Sequence, residues 1–256
     1  MGRRYGQHFL GDLGILQRML ECAQLTPEDT VVEIGPGRGV LTEGLLERVQ
    51  RVIAVEIDPY LCKLLRSRFK NSANLELIEG DVLQFDFKAI ERFKVVSNIP
   101  YNLTTPIIFK ILEEGQGLQG IILMLQKEVA KRITSLKGCK DYGVLTLMVQ
   151  YRSSSRLEFV VPREAFRPPP KVDSAVVSFS PLPRSAVKVC NEESFFKVIR
   201  TSFLQRRKTL ANSLKPYGSN IKTILTDIGI DPMARPETLS LDDFARLSDT
   251  LTQKNW

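Results

Sequence analysis

The chain has 256 residues, 43% hydrophobic and 25% charged, with a formal net charge of +7 and a pI near 9.3. This composition excludes a disordered chain and leaves room for one large domain plus a smaller one; more than half of the excess charge falls after Pro181, which favours a polyanionic partner over an acidic small molecule. No apolar run approaches the roughly 20 residues of a membrane span, no apolar signal core follows Met1-Gly2-Arg3-Arg4, and Cys22, Cys62, Cys139 and Cys190 form no C-x-x-C pair, so a soluble cytoplasmic protein without a structural metal or disulfide framework is expected.

Residues 3–10 (Arg3-Arg4-Tyr5-Gly6-Gln7-His8-Phe9-Leu10) precede any regular periodicity. They read either as a frayed terminus or as a substrate-side arm, since Arg and Tyr together suit phosphate and base contacts. Ile15, Leu16, Met19, Leu20 and Ala23 then recur at helical spacing until Thr26-Pro27. Residues 30–34 (Thr-Val-Val-Glu-Ile) read as a strand running into Gly35-Pro36-Gly37-Arg38-Gly39, after which Leu41, Leu45, Leu46 and Val49 mark a helix. Glycines let the backbone approach a ligand closely, and a helix start favours a polar or anionic group there. A second strand over 52–55 ends at Glu56, where a carboxylate can accept both hydroxyls of a ribose. Position 40 is Val, so the dinucleotide fingerprint G-x-G-x-x-G is not met, and a nucleoside without a pyrophosphate is favoured.

Leu61, Leu64, Leu65 and Phe69 mark the next helix, and residues 75–78 a third strand that ends at Glu79-Gly80-Asp81. Asp81 is there either an acceptor for an adenine amino group or the first residue of an Asx turn. Residues 92–97 form the fourth strand and stop at Asn98-Ile99-Pro100-Tyr101. Pro100 has no N–H and keeps Ile99 out of the helical region, so the backbone leaves the sheet extended, with an amide, carbonyls and an aromatic ring side by side. An exocyclic amino group has two donors, which the Asn98 side-chain oxygen and the Pro100 carbonyl can accept while Tyr101 stacks on the base.

A helix with Ile107, Ile108, Ile111 and Leu112 follows Thr104-Thr105-Pro106, then a buried strand over 121–125 and a helix over 127–133. Strand and helix alternate throughout, which predicts an α/β fold with a Rossmann-like, doubly wound, mostly parallel sheet. Residues 143–151 and 172–179 read as two more strands, an antiparallel hairpin at the sheet edge. Between them Phe166-Arg167-Pro168-Pro169-Pro170-Lys171 is a stiff loop that reads as a polyproline surface loop, an SH3-type ligand or, better placed because it is tied to both closing strands, a second wall of the crevice. From 181 onward every apolar pattern is helical, and Arg206-Arg207-Lys208 reads as a phosphate clamp rather than a solvated helix face. The expected division is 1–180 for a ligand-binding catalytic domain and 181–256 for a helical one.

Taken together, Gly6-Gln7-His8-Phe9-Leu10, Glu33-Ile34-Gly35-Pro36-Gly37, Glu56-Ile57-Asp58, Gly80-Asp81, Asn98-Ile99-Pro100-Tyr101, Gln126-Lys127-Glu128-Val129-Ala130, residues 166–174 and Arg206-Arg207-Lys208-Thr209-Leu210 resemble the motifs of the ribosomal RNA adenine dimethyltransferases that use S-adenosylmethionine, in particular their small-subunit branch. The resemblance covers nearly the whole chain. It implies a class I methyltransferase whose cofactor, S-adenosylmethionine, lies against His8, Leu10, Gly35, Gly37, Glu56, Ile57, Asp81, Val82 and Asn98. His8 stands where the family more often carries Asn. It also implies that Asn98, Pro100, Tyr101 and Phe166 act on the target base, and that Arg3, Arg4, Arg167, Lys171, Arg206, Arg207 and Lys208 grip RNA. The implied reaction is N6,N6-dimethylation of two adjacent adenosines in the hairpin loop near the 3′ end of small-subunit rRNA, by a monomer acting on an immature subunit and supporting its biogenesis. As the only histidine, His8 leaves no Ser-His-Asp triad and no multi-His metal site. The rivals are a large-subunit adenine methyltransferase of the macrolide-resistance type, a DNA amino-methyltransferase and a non-catalytic ribosome-assembly factor on the same fold.

Overall fold

The computed structural model describes residues 8–205 and 207–253. In chain order its elements are β1 (Phe9–Leu10), α1 (Leu13–Cys22), β2 (Thr30–Ile34), α2 (Val40–Leu46), β3 (Arg51–Glu56), α3 (Pro59–Arg68), β4 (Leu75–Glu79), β5 (Phe93–Asn98), α4 (Thr104–Glu114), β6 (Leu118–Gln126), α5 (Lys127–Ile133), α6 (Val144–Arg152), β7 (Ser153–Val161), β8 (Phe166–Arg167), β9 (Ser174–Pro181), α7 (Glu192–Phe203), α8 (Leu210–Ser213), α9 (Ile221–Asp227) and α10 (Leu241–Gln253). Side chains set several of these starts. Asp12 accepts the N–H groups of Gly14 and Ile15 at the head of α1, and Asp58 caps α3 with Pro59 in its first turn.

Seven strands make one sheet in the order β4-β3-β2-β5-β6-β9-β7, and β1 pairs separately with β8. From β4 to β6 all neighbours are parallel, whereas β9 runs antiparallel to β6. The chain winds outward from β2 through β3 to β4, then returns to β5 on the other side of β2. The carboxyl ends of β2 and β5 therefore meet at the point where the winding reverses, which is where open α/β sheets bind ligands.

One core joins Leu16, Met19 and Leu20 of α1 and Leu41 and Leu45 of α2 to Val31, Val52, Val96, Met124 and Val176 of the sheet. The alternate residues Val32, Ile53, Val95, Leu123 and Val177 are buried as well, so the sheet is covered on both faces, as parallel strands require.

The chain divides into two compact units, one of residues 1–130 and 155–181, the other of 131–154 and 182–256. This differs from the division expected at 180/181, because residues 131–154 belong with the C-terminal helices. The same segment holds a second difference. Where 143–151 reads as a strand, the chain forms the helix α6 (Val144–Arg152), and the strand that follows it directly is β7. Leu145, Thr146, Leu147, Met148, Val149 and Tyr151 are all buried, and an apolar run buried on every side has no periodicity to separate helix from strand. The edge hairpin is thus made by β7 and β9, neighbours in the sheet, with β9 inside. In the second unit Phe195 and Phe196 pack on Tyr151, and Tyr142 donates its buried hydroxyl to the Leu239 carbonyl at 3.0 Å.

Among the described residues no helix is long and apolar enough to cross a membrane.

Candidate active site

The strand ends at the switch point are tied level with one another. Gly35 N–H donates to the Val55 carbonyl at 2.8 Å, Gly80 N–H to that of Glu56 at 2.8 Å and Ile99 N–H to that of Met124 at 3.2 Å. Buried Ser97 adds a side-chain tie, donating its hydroxyl to the Ile34 carbonyl just before the glycine loop. Above this level opens a cavity of about 600 Å³ in the first unit. Its lining includes the predicted His8, Leu10, Gly35, Gly37, Glu56, Ile57, Asp81, Val82, Asn98, Pro100 and Tyr101. It also includes Arg38, Met124, Asn102 and Leu103, which no local sequence pattern singled out.

Phe166 is the exception. Expected to hold the base opposite Tyr101, it is fully buried in the core with Phe159, Val161 and Val176 and does not line the cavity. Adjacent side chains of an extended segment point opposite ways, so in β8 the ring goes inward and Arg167 outward.

Glu56 is 3% exposed and offers its carboxylate at the cavity wall. One oxygen accepts the Gly37 N–H at 3.1 Å and the other the Asp58 N–H at 3.0 Å. Burial pushes its pKa up, and the N–H groups of Asp58, Gly37 and Ile57 pull against that. Each oxygen keeps a further lone pair, so the group fits a pair of vicinal hydroxyls. Gly37, at φ 61°, passes so close to the Phe9 ring that a Cβ would lie 3.1 Å from it, and Arg38 stacks its guanidinium over that ring at 4.7 Å. Asp81 accepts the Leu83 N–H at 2.9 Å, the Asx geometry, while still lining the cavity. This set of acceptors and apolar walls fits a nucleoside.

Glu33 was not anticipated as a separate feature. It is fully buried, takes the Thr42 hydroxyl at 2.7 Å and has its pKa pushed up to about 8, first by burial, with the nearby Glu56 charge adding to it. In the folded protein the carboxyl therefore stays protonated at neutral pH, whereas in the unfolded chain it ionises in the ordinary carboxyl range. The unfolded chain then binds fewer protons, so this group's contribution to stability falls as pH rises toward 8. Glu33→Gln removes the titration, and its melting temperature relative to wild type is expected to be higher at pH 8 than at pH 6. An equal difference at both pH values would mean that Glu33 is ionised in the fold.

The Asn98 side chain is partly buried at the cavity and has no hydrogen-bond partner among the described residues. The Pro100 carbonyl accepts the Leu103 N–H at 3.2 Å, and the Thr104 hydroxyl lies 3.4 Å from it and 3.2 Å from the Tyr101 carbonyl. Tyr101 Oη is 2.6 Å from Ser174 Oγ. His8 is held to the Pro168 carbonyl at 2.8 Å, its ring 6.1 Å from that of Tyr101 and inclined by 24°.

Of the residues expected to grip RNA, Arg3, Arg4 and Arg206 lie outside the described residues. Arg167, Lys171, Arg207 and Lys208 are exposed. The Arg167 guanidinium donates to the carbonyls of Glu164 and Phe166 at 2.7 and 3.1 Å, leaving further N–H donors on its fork.

Two solved structures share this architecture over nearly its whole length. The crystal structure of a dimethyladenosine transferase from Plasmodium falciparum matches with a TM-score of 0.80 and 29% identity, covering 94% of this chain and 96% of that one. That of the 23S rRNA methyltransferase ErmE matches with a TM-score of 0.73 and 29% identity, covering 96% and 100%. The switch-point cavity with its glycine loop and the carboxylate on the following strand, on this sheet, define a class I methyltransferase. The family model described as ribosomal RNA adenine dimethylase matches residues 1–253. Proteins named ribosomal RNA small subunit methyltransferase A are 41% identical over 254 residues in Geobacter metallireducens (95% of this chain, 92% of that one) and 42% over 256 residues in Clostridium botulinum (97% and 93%). The chain belongs to the ribosomal RNA adenine dimethylase family, a methyltransferase of rRNA whose cofactor is S-adenosylmethionine.

Proposed function

We propose that this chain dimethylates N6 of two adjacent adenosines in the hairpin loop near the 3′ end of small-subunit rRNA, working in the cytoplasm as a monomer on an immature small subunit. The observation that carries the reading is that Asn98, whose side chain has no hydrogen-bond partner among the described residues, opens into the same cavity as Glu56 and the glycine loop, so base and cofactor have one chamber to meet in. The choice of RNA is supported by the 41 and 42% identity, over nearly the whole of both chains, to relatives named for the small subunit. A DNA amino-methyltransferase and a non-catalytic assembly factor have no such support.

When bound, S-adenosylmethionine supplies a methyl group already activated on its sulfonium. Glu56 would hold the ribose hydroxyls and Asp81 the adenine edge, with the backbone about Gly35 and Gly37 leaving room for a close approach. Adenine N6 is a poor nucleophile because its lone pair is delocalised into the ring. Asn98 Oδ1 accepts one of its N–H bonds. The Pro100 carbonyl accepts the other once the Thr104 hydroxyl donates to the Tyr101 carbonyl alone, the nearer of its two acceptors. Both bonds strengthen as the nitrogen becomes pyramidal, and Tyr101 stacks on the base. N6 would gain the methyl carbon as its bond to sulfur breaks, and the N6 proton made acidic by the new bond would pass to water, so alignment is the main contribution and no general-base histidine is needed. In the second transfer N6 keeps one N–H and uses only one of the two acceptors.

Exposed Arg207 and Lys208, with Arg206, supply phosphate contacts. Changing all three to Gln is expected to weaken RNA binding and to reduce the slope of log affinity against log salt by about 0.7 to 0.9 for each phosphate no longer neutralised, with S-adenosylhomocysteine binding unaltered. An unchanged slope would mean that the cluster is a solvated helix face. The proposed function is tested by mass spectrometry of small-subunit rRNA from cells with and without the gene. Loss of N6,N6-dimethyladenosine without it is expected, and an unchanged level would count against the proposal.

A further inference from the structure

We infer that Ser174 is a positioning residue for methyl transfer, its hydroxyl fixing the Tyr101 ring at the cavity wall beside Asn98. The inference rests on the function proposed above. Tyr101 Oη and Ser174 Oγ lie 2.6 Å apart, and Ser174 is fully buried. A hydroxyl shut off from water cannot exchange this contact for solvent, so the bond is directional and persistent.

The two partners are anchored differently. Ser174 is the first residue of β9 and lies opposite Gln126 at the end of β6. Its neighbour Asp173 accepts Lys127 Nζ at 3.1 Å and the Arg163 N–H at 3.4 Å on its carboxylate, and the Lys127 N–H at 3.0 Å on its carbonyl. Ser174 is thus braced from the sheet and from the loop. Tyr101 instead opens a single 3-10 turn just past the end of β5, where no strand ladder orients its side chain. A hydrogen bond at the far end of the ring fixes what the backbone leaves free. A stacking surface set before the base arrives loses less entropy on binding than one that must be ordered.

The test measures methyl transfer to small-subunit rRNA by wild type, Ser174→Ala, Tyr101→Phe and the double variant, with melting temperature and S-adenosylhomocysteine affinity for each. Each single change is expected to raise KM for RNA about three- to tenfold, the scale of one intramolecular hydrogen bond, with cofactor affinity unchanged. The double variant is expected to be no worse than either single one, because both remove the same bond. The inference is overturned if Ser174→Ala causes the same loss in the Tyr101→Phe background as in wild type, or if Tyr101→Phe keeps the wild-type KM. Should Ser174→Ala fail to fold, Tyr101→Phe alone decides. A wild-type protein inactive on every RNA would overturn the proposed function as well, an outcome distinct from a null effect of the Ser174 change.

Discussion

Asn98→Ala is expected to lower single-turnover methyl transfer about 10²- to 10³-fold while the fold and RNA affinity persist. The Asn98 side chain makes no hydrogen bond to other described residues, so removing its amide leaves no buried partner behind, and the melting temperature should barely move. The magnitude follows from the loss of one preorganised partner for a group whose charge changes in the transition state. Because that contact strengthens only as N6 becomes pyramidal, kcat and kcat/KM should fall together, whereas loss of uniform binding would raise KM alone. A stable Asn98→Ala protein with near-normal transfer would remove Asn98 from the mechanism. A large drop in melting temperature with normal turnover per folded molecule would make it a structural residue at the end of β5.

Glu56→Ala is expected to have the largest effect on cofactor affinity. Two hydroxyls lose a charged acceptor worth about 1.5 to 3 kcal/mol per bond, so S-adenosylhomocysteine should bind about 10²- to 10⁴-fold more weakly. The same carboxylate also holds the N–H groups of Gly37 and Asp58, so the change loosens the glycine loop as well as the ribose contact. Glu56→Gln keeps one oxygen in place and should fall between wild type and Ala. Calorimetric titration decides the matter, and unchanged affinity in Glu56→Ala would take Glu56 out of the site.

The parts of the molecule that were legible in the sequence are those written in local pattern. Each strand from β2 to β6 is a short apolar run ending in a polar or glycine-containing turn, and each helix between them repeats at its own period, so the parallel sheet and its switch point could be read from the residues. Gly35, Glu56, Asp81 and Asn98 stand at successive strand ends, and a parallel sheet brings such ends to one edge. What escaped was non-local. Ser97 acts on a carbonyl 63 residues away and Tyr101 meets a hydroxyl 73 residues away, and no window of sequence records such pairs. Phe166 sits in a motif that points at the crevice, yet the two-residue pairing of β8 with β1 turns its ring into the core. The helix α6 reads as a strand because burial on all sides erases the polar face that would have marked it. The unit boundary moved with it, since a segment read as an edge strand belongs instead with the C-terminal helices.

The most direct measurement incubates the purified protein with S-adenosylmethionine and either immature, unmodified small subunits or unmodified large-subunit rRNA, cuts the RNA of each into oligonucleotides with a base-specific nuclease and maps the modified positions by mass spectrometry. The expected result is N6,N6-dimethyladenosine at two adjacent positions of one small-subunit hairpin loop, none in large-subunit RNA, and formation about 10²- to 10³-fold slower with the Asn98→Ala protein. Methylation confined to large-subunit RNA, or none in either substrate, would contradict the proposed function.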